Sequence, residues 1–441
     1  MPAIAPKEKR RGSRYDSDGS DDDDDFQESG RSGRSRAPPR RKKVPKDYRN
    51  PSLQIAEECE ETYPTHYHLY APPLAAVNAA SPVSAAYRSD HGTPVMALAL
   101  SHNGHIIASC SVVGTVSLWD AMNGAQLNVL LDKNEECAEE FYCLSFTPDD
   151  LGILAAGKLK KRDIWDLEED DLQISLSCPI KIFDIVSGTV RHQLVGHREE
   201  VHGLKVIMFR GSPCVASCSQ DGSVRKWVMD RSFGACVNST EIYDEETDRI
   251  LDMCFLPQCG NTYLAVASDD TIKIIDFEQE VVLQQFDELY SCHCDSISVV
   301  YPPAIGRAPG EVILLTHGVE YVNDDGITPE SSNKAILHRL KYPAKGSAGD
   351  AFALEQIRVF SDDDLLSNVW PVHARSNNHY VFVPTQKGDI FVFNLATGEK
   401  IAVLRDHAEG DVVRDILFHP SEPMFYSTGG DGFILVYKYK E

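Results

Sequence analysis

Residues 196–230 read GHREEVHGLKVIMFRGSPCVASCSQDGSVRKWVMD. The passage holds three strand signals in a row. VHGLKVIMF alternates, PCVASCS is small and apolar, and SVRKWVM alternates again. Between the last two stands QDG, a tight-turn triplet that joins antiparallel strands. The same order recurs along the chain. It appears as VMALALSHNGHIIASCSVVGTVSLWD (95–120) and, around an insertion, from FYCLSFTPDD (141–150) to PIKIFDIVSG (179–188). It returns as ILDMCFLPQCGNTYLAVASDDTIKIIDF (250–277) and, degraded, as SISVVYPP, EVILLTHG and AILHRL within 296–340. The last two copies are VWPVHARSNNHYVFVPTQKGDIFVFNLATGEK (369–400) and VVRDILFHPSEPMFYSTGGDGFILVYKY (412–439). Seven copies of one small β-unit cannot each bury an apolar face alone, so they must stack on one another.

On these residues the chain resembles the WD-repeat family. The resemblance implies an all-β fold over 91–441, a seven-bladed β-propeller whose blades are four-stranded antiparallel sheets. It also implies a hydrogen-bond tetrad within a blade. In the 196–230 copy the matching residues are His197, Asp221, Trp227 and either Ser217 or Ser219. The last copy keeps His407 and Asp431, with Tyr437 in the Trp position, and the first copy has Val113 where Asp is expected. Buried polar groups that satisfy one another would pin the turn, which leaves little of His197 and Asp221 for catalysis.

Three stretches interrupt the pattern. KLKKRDIWDLEEDDLQISLS (158–177) splits the second copy, so Trp165-Asp166 is a decoy and IKIFD is the true third strand. EYVNDDGITPESSN (320–333) splits the fifth copy, and 341–367 is a long link to the sixth. Residues 1–50 have almost no large aliphatics and read as a disordered tail. Its acidic block SDGSDDDDD places Ser17 and Ser20 as phosphoacceptor candidates, and its basic block GRSGRSRAPPRRKKVPK resembles a nuclear import signal. A nuclear location and weak nucleic-acid contact through this block are the expectations. Residues 51–90 are expected to form an extension packed on the propeller.

Charge and composition narrow the functional classes. The chain carries a net charge of −24 although its first 49 residues are net basic. An acidic body repels nucleic acid and suits basic protein partners. No apolar run is long enough to span a bilayer and the N-terminus lacks an apolar signal core, so a soluble, unsecreted protein without membrane contact is expected. The twelve cysteines lack the paired spacing of a zinc site. No phosphate-cradling loop, nucleophile elbow or metal-ligand cluster is present, so neither catalysis nor a cofactor is expected.

The first strands of the copies, aligned on apolar positions, read VMALAL, FYCLSF, VHGLKV, ILDMCF, SISVV, VWPVHA and VRDILF. Positions one, four and six are mostly apolar. Position two is expected at the mouth of the central channel, and it places Met96, Tyr142, His202, Leu251, Ile297, Trp370 and Arg414 there. Aromatic faces attract a methylated ammonium, and an Arg suits a peptide carbonyl or carboxylate. The blocks EEFYCLSF, LAAG, IKIFDIVSGTVRHQLVGHREEVHGLKV, NVWPVHA and VVRDILF resemble the EED/ESC/FIE family of Polycomb proteins. That resemblance implies a non-catalytic subunit of Polycomb repressive complex 2. Such a subunit binds a helix of the SET-domain methyltransferase on one face. On the other face, an aromatic cage reads trimethyl-lysine on the histone H3 tail and stimulates methylation, and so transcriptional repression. Tyr142 and Trp370 match cage aromatics and Arg414 matches a basic neighbour. Met96 stands where the family has Phe, and Pro371 where it has a second aromatic, so a weakened or altered readout is expected. The competing expectation is an adaptor of another nuclear complex, either a ubiquitin-ligase substrate receptor or an RNA or ribosome assembly factor. The WDxR motif of one receptor group is absent: Trp119-Asp120 is followed by Ala121-Met122.

Overall fold

The computed structural model describes residues 85–90, 93–160, 178–243, 249–302, 305, 308, 310–320, 332–343, 351–366, 371–422 and 424–438. They form seven four-stranded antiparallel sheets, each built from consecutive strands except the last. The inner strands of blades one to seven are Val95–Leu100, Ala138–Phe146, Val201–Phe209, Asp252–Phe255, His293–Val300, Arg375–Ser376 and Val413–Phe418. The expected all-β, seven-bladed architecture is the one observed. Blade seven takes its outer strand, Ala85–Asp90, from the other end of the described chain, paired with Phe433–Lys438. Hence the end of the stretch read as a packed extension is itself a propeller strand, and among the described residues the propeller starts at 85. Residues 1–84, which carry the tail and both charged blocks, lie outside the described residues.

The core is distributed over seven seams. One apolar cluster fills each contact between neighbouring blades, including the contact of blade seven with blade one through Tyr426, Val436, Val95 and Trp119. A strand packed on both faces explains why positions one and four of the inner strands are apolar. The seven-seam closure leaves no blade with an uncovered face.

Two boundaries differ from the sequence reading. The outer strand of blade five is Ala353–Phe360, inside the stretch read as a long link. It alternates exposed polar and half-buried apolar residues too weakly to stand out. The stretch VWPVHA was read as an inner strand, but pairing there starts only at Arg375, and residues 371–374 carry no strand. Pro371 has no N–H to offer a ladder. The 158–177 and 320–333 inserts both fall between the second and third strands of their blades, and their residues 161–177 and 321–331 lie outside the described set.

A bulge recurs at position two of the inner strand. The register slips between Val95 and Ala97, Phe141 and Cys143, Val201 and Gly203, Cys294 and Ser296, and Val413 and Asp415. A bulge leaves one residue unpaired and re-aims its side chain. Opposite it, blades two, five and seven carry Gly157, Gly318 and Gly429. A methyl group at any of the three would collide with a backbone carbonyl, of Glu140, His293 and Val412 respectively.

Candidate functional site

The bulges put Met96, Tyr142, His202 and Arg414 at position two of their strands, and of these Tyr142 and His202 line the axial lumen. In blade five the bulged residue is Asp295. Ile297 is two residues further on, at position four, where its N–H donates to Asp252 of the neighbouring blade at 3.0 Å. The alignment had been set on apolar residues, and Asp295 is a buried carboxylate that such a pattern passes over. Leu251 is buried at the start of blade four, with its N–H on Ala267 O at 2.9 Å. Trp370 lies outside the described residues. Pro371 is buried, and its carbonyl accepts from Arg414 Nη1 at 3.4 Å.

Tyr142 and His202 come from adjacent blades and stack nearly parallel, 6.0 Å between ring centres and 6° between planes. The Tyr142 hydroxyl donates to Glu140 at 2.6 Å, and Lys160 holds the other oxygen of Glu140 at 2.6 Å. Burial, reinforced by Glu140, pushes the Tyr142 phenol well above its usual range. Burial also pulls His202 down to about 4, so its ring is neutral at pH 7. Arg414 is half-buried. Burial lowers its guanidinium to about 10, opposed by Tyr142 and Asp295, so it remains charged. Asp295 is fully buried against His317, with 2.6 Å between Oδ1 and Nδ1. Met96 is buried in the seam between blades one and two and brings no ring to the mouth. The mouth thus offers a two-ring stack, a guanidinium and a buried carboxylate. It can hold a flat or cationic group against the rings and a carbonyl or carboxylate on Arg414.

The tetrad of blade three is a closed network through Ser217, not Ser219. His197 lies 3.0 Å from Asp221 through Nδ1 and 2.7 Å from Ser217 Oγ through Nε2. Trp227 Nε1 donates to the same Ser217 oxygen at 2.9 Å. Asp221 also accepts the backbone N–H of Arg198 at 2.8 Å. Against its burial, His197 and Ser223 hold the Asp221 carboxyl well below the usual range. Every polar atom of the set faces another member or the backbone, so the network is structural. His407, Ser427 and Asp431 repeat it in blade seven at 2.7 and 2.9 Å, with Tyr437 buried in the Trp position.

Two further networks escaped the sequence reading. In blade five Tyr290 stands where His197 does, four residues before its inner-strand anchor. Its hydroxyl meets Thr316 at 2.7 Å, and Thr316 meets His338 at 3.1 Å. Thr316 and His338 hold the register of Ser217 and Trp227. Glu320 caps Ser291 N at 2.9 Å, as Asp221 caps Arg198. The fifth copy therefore keeps these three links with every residue changed, without a counterpart of the His197–Asp221 contact; the clue in sequence was spacing, not identity. In blade two, Lys181 is wholly buried among Asp132, Glu135 and Glu139, at 2.7, 3.0 and 2.6 Å. Among the described residues no group of three His, Cys, Asp or Glu side chains is arranged to hold a metal. The described cysteines are free thiols, most of them buried. No helix of the described residues is long and apolar enough to cross a membrane.

The chain is a seven-bladed WD-repeat β-propeller. The model of the WD domain, G-beta repeat, matches residues 85–120, 188–227 and 398–438. Among relatives, the protein tipD of Dictyostelium discoideum is 20% identical over 348 residues, 78% of this chain and 47% of that one. The LEC14B protein of Lithospermum erythrorhizon is 30% identical over 237 residues, 47% of this chain and 48% of its own. The nuclear distribution protein nudF of Aspergillus niger is 30% identical over 102 residues, 23% of this chain and 22% of its own. The chain spans about half the length of the first two relatives. None of the three names refers to Polycomb or to histone methylation. Propellers of this class in general bind protein partners and act as scaffolds without catalysis.

Proposed function

We propose that this protein is a non-catalytic scaffold and reader subunit of a nuclear chromatin complex. In this reading it is EED-like and supports histone H3 lysine methylation by Polycomb repressive complex 2 and transcriptional repression. Its partners are a SET-domain methyltransferase and other Polycomb subunits, with the H3 tail at the channel mouth. The observation that carries the reading is the ring at the bulge positions. Tyr142 is stacked on His202 beside Arg414, and the short blocks around those residues resemble that family. An acidic body complements a basic histone tail. The lost aromatics at Met96 and Pro371 weaken the grip on a methylated ammonium, so the scaffold role stands ahead of the reader role.

Titration of trimethylated and unmodified H3 peptides against wild type, Tyr142→Ala and Trp370→Ala tests the reader role. The expected result is a preference for the trimethylated peptide that both substitutions abolish. Equal and negligible binding by all three removes that role. Affinity purification of the intact chain then tests the scaffold role, through recovery of a SET-domain methyltransferase. One observation favours a second reading, an adaptor of a different nuclear complex such as a ubiquitin-ligase substrate receptor or an RNA or ribosome assembly factor. A charged guanidinium beside the rings repels a ligand cation and suits an acidic or carbonyl-rich peptide instead. Purification with a ligase or a ribonucleoprotein, and no methyltransferase, decides for it.

A further inference from the structure

The inner strands surround an axial lumen of 480 Å³. Its room comes from small side chains, Ala97, Cys143 and Gly203 at position three and Ser298 at position five. Two carboxylates also sit at position three. Asp252 accepts Met253 N at 2.8 Å and Ile297 N at 3.0 Å on its two oxygens. Asp415 accepts Ile416 N at 3.0 Å and Leu98 N at 3.1 Å. Both oxygens of each are thus taken by backbone N–H groups, one on the neighbouring blade, and each carboxylate clamps two blades together.

Beyond this layer the lumen turns cationic. Arg375 of blade six reaches Asp415 Oδ1 with one nitrogen at 3.3 Å. Lys205 of blade three is half-buried in the wall and makes no ion pair among the described residues. In a chain of net charge −24 an unpaired lysine facing the lumen is the place where an anion is drawn in. Lys205 also lines a second cavity of 260 Å³ next to the lumen, sharing Leu204 and Phe255 with it. Leu100, Phe146 and Ile207 give that groove apolar side chains, beside the polar groups of His102 and Ser145. Lumen and groove therefore meet at one lysine.

We infer that this end of the channel docks an acidic segment of a partner protein. One Asp or Glu carboxylate enters the lumen on Lys205, with Arg375 behind it, and a large apolar side chain next to it lies in the groove. Lys205 stands three residues along its strand from His202, about 10 Å at 3.3 Å per residue. Tyr142 and His202 line the same lumen further along, so the two sites are told apart by which substitution weakens binding. The half-burial of Lys205 makes the contact stronger than a fully exposed ion pair.

The test is fluorescence anisotropy of the full chain with a labelled, end-capped heptapeptide that carries one Glu between leucines. Its Gln counterpart and free decanoate are the control arms. The Glu peptide is expected to bind, and both the Gln peptide and Lys205→Met to weaken binding at least tenfold. Lys205→Arg is expected to restore it. Leu100→Glu, which reverses the groove rather than the lumen, is expected to cost a similar factor and guards against a folding artefact in the first variant. Affinity unchanged by Lys205→Met overturns the inference. So does binding of decanoate without binding of the peptide, since the site would then serve a free amphipathic acid.

Discussion

Lys181→Met removes the buried cation that three carboxylates of blade two share. Lys181 is 0% exposed, and Asp132, Glu135 and Glu139 have side chains 7, 18 and 6% exposed. Against the burial that opposes it, Lys181 holds the Asp132 carboxyl below its ordinary range, and the Cys137 N–H together with Lys181 does the same for Glu135. Burial wins at Glu139, which is raised despite the lysine. Removing one partner of a buried pair costs about 3–5 kcal/mol, because the other charge stays behind. The loss has a ceiling, since a stranded carboxylate can take a proton. With an ordinary Glu value near 4.3, that costs about 3.7 kcal/mol at pH 7 and about 1 kcal/mol at pH 5. Asp132 and Glu135 keep backbone donors, Asn134 N and Cys137 N, both at 3.0 Å, so Glu139 is the group that protonates first. The expected loss is therefore about 3–4 kcal/mol at pH 7. As pH falls from 7 to 5 the gap to wild type narrows by roughly 2 kcal/mol, because the variant then binds a proton that helps it fold. Urea unfolding followed by intrinsic fluorescence at the two pH values measures both quantities. A loss below about 1 kcal/mol at pH 7, or a gap that is the same at pH 5, refutes the reasoning.

His202, depressed to about 4 by burial, predicts a pH slope of its own. Between pH 6.5 and 4 the unfolded chain binds the proton and the folded chain does not. Stability is thus intact above pH 6.5 and falls by about 3 kcal/mol as pH drops to 4. His202→Gln should flatten that part of the stability–pH curve. Thr316→Val leaves Tyr290 and His338 without their shared buried partner, so a loss of about 1–3 kcal/mol is expected in denaturant unfolding. The same substitution at a surface threonine is the control. Gly429→Ala places a methyl group on the carbonyl of Val412 at the bulge of blade seven. It should lower the melting temperature by several degrees, whereas alanine at Gly211, which meets nothing within 4 Å, brings only the strain of a positive φ. A Gly429→Ala variant as stable as wild type would show that the bulge is not rigid.

The legible part of the site was the part that repetition exposes. Tyr142, His202 and Arg414 were found because their strands keep apolar residues at positions one and four, and the bulge that aims them falls at the same step in each. Asp295 was missed because blade five offers SISVV as the most apolar window, two residues past the true bulge. The Tyr290–Thr316–His338 and Lys181 networks were missed for a related reason. A hydrogen bond needs a donor and an acceptor at a distance, and many residue pairs supply them, so the wiring survives while the letters change.

What the sequence determined by itself was the repeat, the strand periods, the tight turns and so the number of blades. Those are local: a period of two and a turn triplet act over a few residues, and copies of one pattern must stack alike. Only the tertiary structure decided where the ring closes, which residues the bulges turn into the channel, and which charges end up buried together. Ala85–Asp90 joins Phe433–Lys438, and Asp415 bonds Leu98 N, across more than three hundred residues. Such contacts depend on how seven seams add up around an axis, and no window of the chain contains that sum.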